Sequence, residues 1–192
     1  MTDSETGLRA RLVDVGVDLV TAEGVQALTL REIARRAGVS HGAPRRYFPT
    51  HLELLSAIAR RGFAELAMRA TEAVGDGTAS PREQLRALSH AYLDFALTHR
   101  GMHDLMFRHD VLESGHLGLR ETSLPLFTLL VDLVSRARPD AEARLVAGSL
   151  LANLHGLAQL WTWGSLQLAT GSSDFGPLLR TALDAHLGPE GR

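Results

Sequence analysis

The sequence predicts an all-α fold of about nine helices, and three features carry that prediction. Apolar residues recur three and four apart along almost the whole chain, the spacing of one helix face, while strand-type alternation is nearly absent. Three segments pair a hydroxyl residue with a Glu three positions later, at Thr29-Glu32, Thr50-Glu53 and Ser80-Glu83. Such a pair can satisfy backbone donors that a helix start leaves unpaired. Breakers then close several of the periodic runs, among them Gly24, Gly38, Gly101 and Pro139.

In chain order, Leu12, Val15, Leu19 and Val20 mark the inner face of a first helix that Gly24 stops. Thr29 caps a second helix, with Ile33, Ala34 and Ala37 inward, that ends at Gly38 after barely two turns. Ser40 is expected to cap a third, stopping at Phe48-Pro49. Thr50 opens a long helix through Leu54, Leu55, Ile58, Phe63 and Leu66. The polar run Gly75-Asp76-Gly77-Thr78-Ala79 interrupts it. Ser80-Pro81 restarts a helix that runs past Leu85, Leu88, Tyr92 and Phe95 to Gly101, which is expected to break it. A short segment at 102–107, a polar stretch to Gly118, and helices over 124–138, 141–163 and 174–187 complete the chain.

Bulk properties narrow the function classes. With 45% hydrophobic and 22% charged residues, the chain can bury a core and is not a disordered segment. It has no cysteine, which excludes disulfides and thiolate metal sites. The start MTDSETGLRARL has no secretory pattern, and no uncharged run approaches the roughly 18 residues of a membrane span, so a cytoplasmic protein without membrane partners is expected. Net charge is −2 and every basic residue other than His is Arg. Residues 1–63 hold nine Arg against seven acidic residues, and 31–61 hold seven Arg against two Glu. A local basic patch on an otherwise acidic chain suits phosphate contact. The expected division is an N-terminal unit at 1–63 and a larger body at 64–192.

Within the first unit, residues 29–48 have the mechanics of a helix-turn-helix. Ala34 is small where the following helix crosses, and Gly38, four residues on, can take the left-handed conformation a tight corner needs. Val39 plugs the turn, while Pro44 and Phe48 sit at i and i+4 on the buried side of the next helix. Ser40, His41, Gly42, Arg45 and Arg46 are left on the outer side, where a recognition helix meets base edges and phosphates. The bland alternative is a helical hairpin with Arg35, Arg36, Arg45 and Arg46 as a solvated face.

On these residues the chain resembles the TetR family of bacterial transcriptional regulators. The resemblance runs over 8–63 and rests on Gly24, Thr29, Ile33-Ala34, Ala37-Gly38-Val39-Ser40, Gly42-Ala43, Phe48 and Glu53-x-Leu55. It implies a homodimer on palindromic double-stranded DNA that represses until a small-molecule effector enters the C-terminal body, with no catalysis and no cofactor. The expected DNA contacts are Thr29, Arg31, Ser40, His41 and Gly42, continuing with Ala43, Arg45, Arg46, Tyr47 and His51. Pro44-Arg45 stands where the family usually has Leu-Tyr. His51 stands where a Lys is usual, and is a weaker, pH-dependent phosphate partner.

The body at 90–107, with Leu154-His155-Gly156-Leu157-Ala158, resembles a C-terminal subgroup with a Trp-His-Gly signature, Leu151 standing near the place of its Trp. Tyr92, Phe95, Met102, Met106 and Phe107 are candidate effector contacts, as are Phe127, His155, Gln159 and Trp163. Aromatic and thioether side chains with a few polar groups suit a largely apolar small molecule. The alternative is that they are core. Helices 141–163 and 174–187 are candidates for a dimer interface, the former being apolar on more than one face. A rival reading from another class is a metal-binding helical protein or sensor using His90, His99, His103, His109 and His116 with Glu113. Only one Glu-x-x-His pair is present, where a di-iron bundle needs two, so no metal ligands are assigned.

Overall fold

A computed structural model describes residues 3–108, 112 and 118–189. Among the described residues there are ten α-helices and no strand. They are α1 (Asp3–Glu23), α2 (Leu30–Arg36), α3 (Pro44–Tyr47), α4 (His51–Val74), α5 (Pro81–Thr98), α6 (Arg100–Met106), α7 (Leu119–Ala137), α8 (Ala143–Thr162), α9 (Ser165–Thr170) and α10 (Gly176–Leu187). A 3-10 turn, Val25–Ala27, links α1 to α2. No helix among the described residues is long and apolar enough to cross a membrane.

The chain divides into two compact units. One holds the described residues of Met1–Glu65 and His99–Ser123, the other those of Leu66–Thr98 and Leu124–Arg192. In the first, α1 buries Leu12, Leu19 and Val20 with Ile33 and Ala34 of α2, Phe48, and Leu54 and Ile58 of α4. All eight are fully buried, so the contact between these helices is built mainly on apolar side chains.

This unit also contains α6, which a division at residue 63 puts with the body. The reason lies in Gly101. A Cβ built there would stand 2.1 Å from the Val20 carbonyl oxygen and 3.1 Å from the Gly24 Cα. The first turn of α6 therefore lies directly on the backbone at the end of α1, an approach only glycine permits. Gly101 is not the expected helix breaker. The break falls at His99, between α5 and α6, and the His103 amide donates to the His99 carbonyl at 2.8 Å.

In the second unit α5 packs on α8 and α10, and α8 also meets α9. Leu85, Phe95, Leu133, Val134, Leu150, Leu154, Leu179 and Leu183 are buried. Helix α7 begins at Leu119 rather than near 124 and carries Pro125 inside it. The ring deprives the Glu121 carbonyl of its helical donor, yet the helix continues through it. A tenth helix arises because α9 fits between Gly164 and Gly171, in the stretch between 163 and 174 where the sequence predicts no helix.

Two arginines close the C-terminal end of α10. Arg82 of α5 donates to the Gly188 carbonyl at 2.6 Å and to the Asp184 carboxylate. Arg138, just beyond α7, donates to the His186 carbonyl at 2.9 Å. Carbonyls that a helix end leaves unpaired are thus met by cations of two neighbouring segments. Replacing both Arg82 and Arg138 by Ala is expected to destabilise the protein by about 2 kcal/mol. Urea unfolding checks this, the midpoint falling at constant slope.

Candidate nucleic-acid interface

Thr29 begins α2 from an extended conformation, and its hydroxyl oxygen accepts the Glu32 amide at 3.2 Å. The other half of the expected capping box does not form. The Thr29 amide donates to the Ala27 carbonyl at 2.8 Å, and the Glu32 carboxylate turns instead to Arg35 and Arg36. Two guanidinium groups outcompete one neutral amide for a carboxylate. At Ser80-Glu83 the carboxylate turns back to Ser80 although Arg86 stands at the same i+3 spacing, and the box closes in both directions, at 2.9 and 3.3 Å.

The corner after α2 is a Schellman turn. Ala37 is helical, Gly38 has φ +66°, the Val39 amide donates to the Ala34 carbonyl at 3.0 Å and the Gly38 amide to the Arg35 carbonyl at 3.2 Å. The next helix is shorter than the sequence suggests. It is helical only over Pro44–Tyr47, with Ala43 rather than Ser40 at its N-cap. Pro44 has no N–H to give the Ser40 carbonyl, which accepts the Ala43 amide at 3.0 Å in a turn instead. Pro44 and Phe48 are buried, and the Arg9 guanidinium lies 4.9 Å from the Phe48 ring centroid.

The ten residues expected at DNA all fall in the first unit. Thr29, Arg31, Ser40, His41, Gly42, Arg45, Arg46 and His51 are exposed, and Ala43 and Tyr47 are half-buried. Among the described residues no carboxylate pairs with Arg31, Arg45 or Arg46. His51 is partly committed, because its Nε2 donates to the Leu28 carbonyl at 2.5 Å. In that tautomer a neutral ring offers only a lone pair at Nδ1, so it donates to a phosphate only when protonated.

Arg35 and Arg36 behave differently. Glu32 takes Arg35 in two hydrogen bonds, at 2.8 and 2.6 Å, and Arg36 at 2.8 Å, while Arg36 also reaches Glu23 at the end of α1. The hydrogen bonds from Arg35, then Arg36, hold the Glu32 carboxyl at about 2, below the ordinary 4.5. Sequence reasoning assigns Glu32 to capping alone and misses this quartet. Its signal is the i+3 and i+4 spacing of Arg35 and Arg36.

The nine effector candidates do not lie in one unit. Met102, Met106 and Phe107 belong to the first, where both Met sulfurs pack on Gly62 and Phe107 stands edge-on to Phe63 at 5.9 Å between centroids. In the second, the Tyr92 hydroxyl and His155 Nδ1 share a hydrogen bond of 3.1 Å that ties α5 to α8. Burial pushes the Tyr92 hydroxyl above its ordinary range, so it keeps its proton. Phe95 is fully buried, Phe127 lies 5.6 Å below the Arg144 guanidinium, and Gln159 is half-buried one turn beyond His155. Trp163 is 70% exposed at the C-cap of α8, and is therefore not an interior residue of this chain. Ser89, one turn before Tyr92, is buried with its hydroxyl unpartnered. Among the described residues no group of three His, Asp or Glu could hold a metal ion, and His109, Glu113 and His116 lie outside them.

Comparison with known proteins matches two stretches of the chain. Residues 12–58 match the family described as bacterial regulatory proteins, tetR family, and residues 85–185 match the tetracyclin repressor-like C-terminal domain. The match carries the family and not a Trp-His-Gly subgroup. The chain is 30% identical over 162 residues to the HTH-type transcriptional regulator BetI of Stenotrophomonas maltophilia, covering 82% of this chain and 81% of that one. It is 26% identical over 189 residues to the HTH-type transcriptional activator FasR of Mycolicibacterium smegmatis, covering 90% and 86%. A solved structure of a protein with unknown function from Rhodococcus sp. RHA1 aligns with a TM-score of 0.79 at 29% identity, covering 94% and 93%.

The corner sets a direct expectation. Gly38→Ala places a Cβ at positive φ and is expected to destabilise the protein by about 1 kcal/mol, whereas Gly38→Asn, which tolerates that region, falls between Ala and the parent. Thermal melts of the three chains rank them.

Proposed function

The chain belongs to the TetR family of bacterial regulatory proteins, and from that premise we propose that it acts as a ligand-responsive homodimer whose two recognition helices read a two-fold symmetric DNA site. Transcriptional regulation through a helix-turn-helix is the shared work of its relatives. One observation carries the choice of residues: Arg45 and Arg46 are exposed, with no carboxylate partner among the described residues, on a helix whose opposite side, Pro44 and Phe48, is buried. With Arg31, Thr29 and Tyr47 they meet phosphates, while Ser40, His41, Gly42 and Ala43 pass close to base edges. His51 adds a phosphate contact in its protonated form.

Apolar side chains left in water support the dimer. Leu145, Leu160, Trp163 and Leu168 on α8, α9 and the join between them are 72, 40, 70 and 89% exposed. A second copy covering this face removes the hydrophobic cost of exposing it. The effector side of the proposal rests on the second unit. Tyr92, Phe95, Phe127, His155 and Gln159 combine apolar surface with a hydroxyl, an imidazole and an amide, which fits a small molecule that is mostly apolar. The effector acts by binding the DNA-incompetent state more tightly. Repression is the direction proposed, although the relative FasR is named an activator.

Arg45→Ala with Arg46→Ala is expected to weaken binding to a duplex selected from a random pool. The slope of log affinity against log salt should become shallower by roughly 0.9 for each phosphate that the variant no longer neutralises. A double variant with an unchanged slope rejects the assignment of both residues. Sedimentation tests the dimer face: the parent is expected to be dimeric, and Leu145→Glu with Leu168→Glu monomeric, with helical content retained.

A further inference from the structure

Resting on that DNA-binding reading, we infer that Glu32 holds Arg35 and Arg36 away from the DNA backbone and so sets how much of the protein's affinity is independent of sequence. Glu23, Glu32, Arg35 and Arg36 form a quartet of two carboxylates and two guanidinium groups with no net charge. Its bonds are geometrically strong. Arg35 presents both Nε and Nη2 to the two oxygens of Glu32, and Arg36 bridges Glu32 on its own helix to Glu23 on α1.

The location makes this matter. In a helix-turn-helix the first helix crosses the DNA backbone, so cations on its outer side stand nearest to phosphates. The Arg35 side chain is 64% exposed, within reach of a polyanion, yet two of its five N–H donors, the pair that would form a fork to a phosphate, are held by Glu32 and its charge is neutralised there. Arg36 is 33% exposed and shared between two carboxylates. The low Glu32 proton affinity keeps the pairing charged at any pH at which DNA is bound. Arg31, Arg45 and Arg46 have no such partner among the described residues. The arginine-rich motif therefore offers fewer phosphate contacts than its composition suggests. Phosphate contacts carry no sequence information, so withholding two of them raises the ratio of specific to non-specific affinity.

The test compares the full-length parent with Glu32→Gln on two duplexes of equal length, one selected from a random pool and one scrambled. Glu32→Gln keeps the shape of the side chain and the Thr29 cap on its amide. The variant is expected to bind both duplexes with a salt slope steeper by roughly 0.9 for each arginine released, and to gain more on the scrambled duplex. In an Arg35→Ala, Arg36→Ala background, Glu32→Gln is expected to leave the slope unchanged. An unchanged slope in the single variant overturns the inference. So does equal steepening in the triple variant, which would assign the effect to the charge of Glu32 alone. Should Glu32→Gln fail to fold, Arg35→Ala with Arg36→Ala in the parent is expected to leave the salt slope unchanged, and a slope shallower by roughly 0.9 for each arginine removed overturns the inference too. A parent chain that binds neither duplex removes the DNA-binding reading and this one with it, whereas a salt-dependent parent with an inert Glu32 removes only this one.

Discussion

The N-terminal unit depends on a single reversal of direction at Gly38. Its left-handed backbone lets Val39 return its amide to Ala34, so α2 ends with its last carbonyls satisfied and the chain leaves at a sharp angle. Everything downstream inherits that angle. Pro44 and Phe48 can enter the core only because the corner delivers them there, and their burial turns Arg45 and Arg46 outward. A side chain at Gly38 would not collide with a neighbour, since nothing lies within 4 Å of an added Cβ. The constraint is conformational and not one of space.

Much of the fold is legible in the sequence because periodicity and capping are local. Thr29, Thr50 and Ser80 each stand just before a helix, and the small-residue signature of the corner points to the turn that forms. What escapes depends on competition between local options. Glu32 is equally placed to cap its helix or to pair with Arg35 and Arg36, and only charge decides between them. Ser40 looks like an N-cap until the missing amide of Pro44 is counted, after which the cap and the helix start move three residues on. Gly101 resembles a stop signal by type, but what it answers to is a backbone some 80 positions earlier, which no local pattern carries.

The candidate effector residues show the same limit from another side. Aromatic and thioether residues look alike in sequence whether they surround a ligand or one another. Met102 and Met106 are claimed by Gly62 in one unit, while Tyr92 and His155 hold each other in the other. Trp163 falls among them on helical spacing alone, and helical spacing does not say which side of α8 meets its own domain.

The approach of Gly101 to Val20 has a mechanical meaning. Most helix pairs meet through side chains, which absorb a displacement by changing rotamer, so the joint is compliant. Here main chain rests on main chain, and the joint has almost no give. A sub-ångström advance of α6 toward α1 must either push the end of α1 bodily or break the seat.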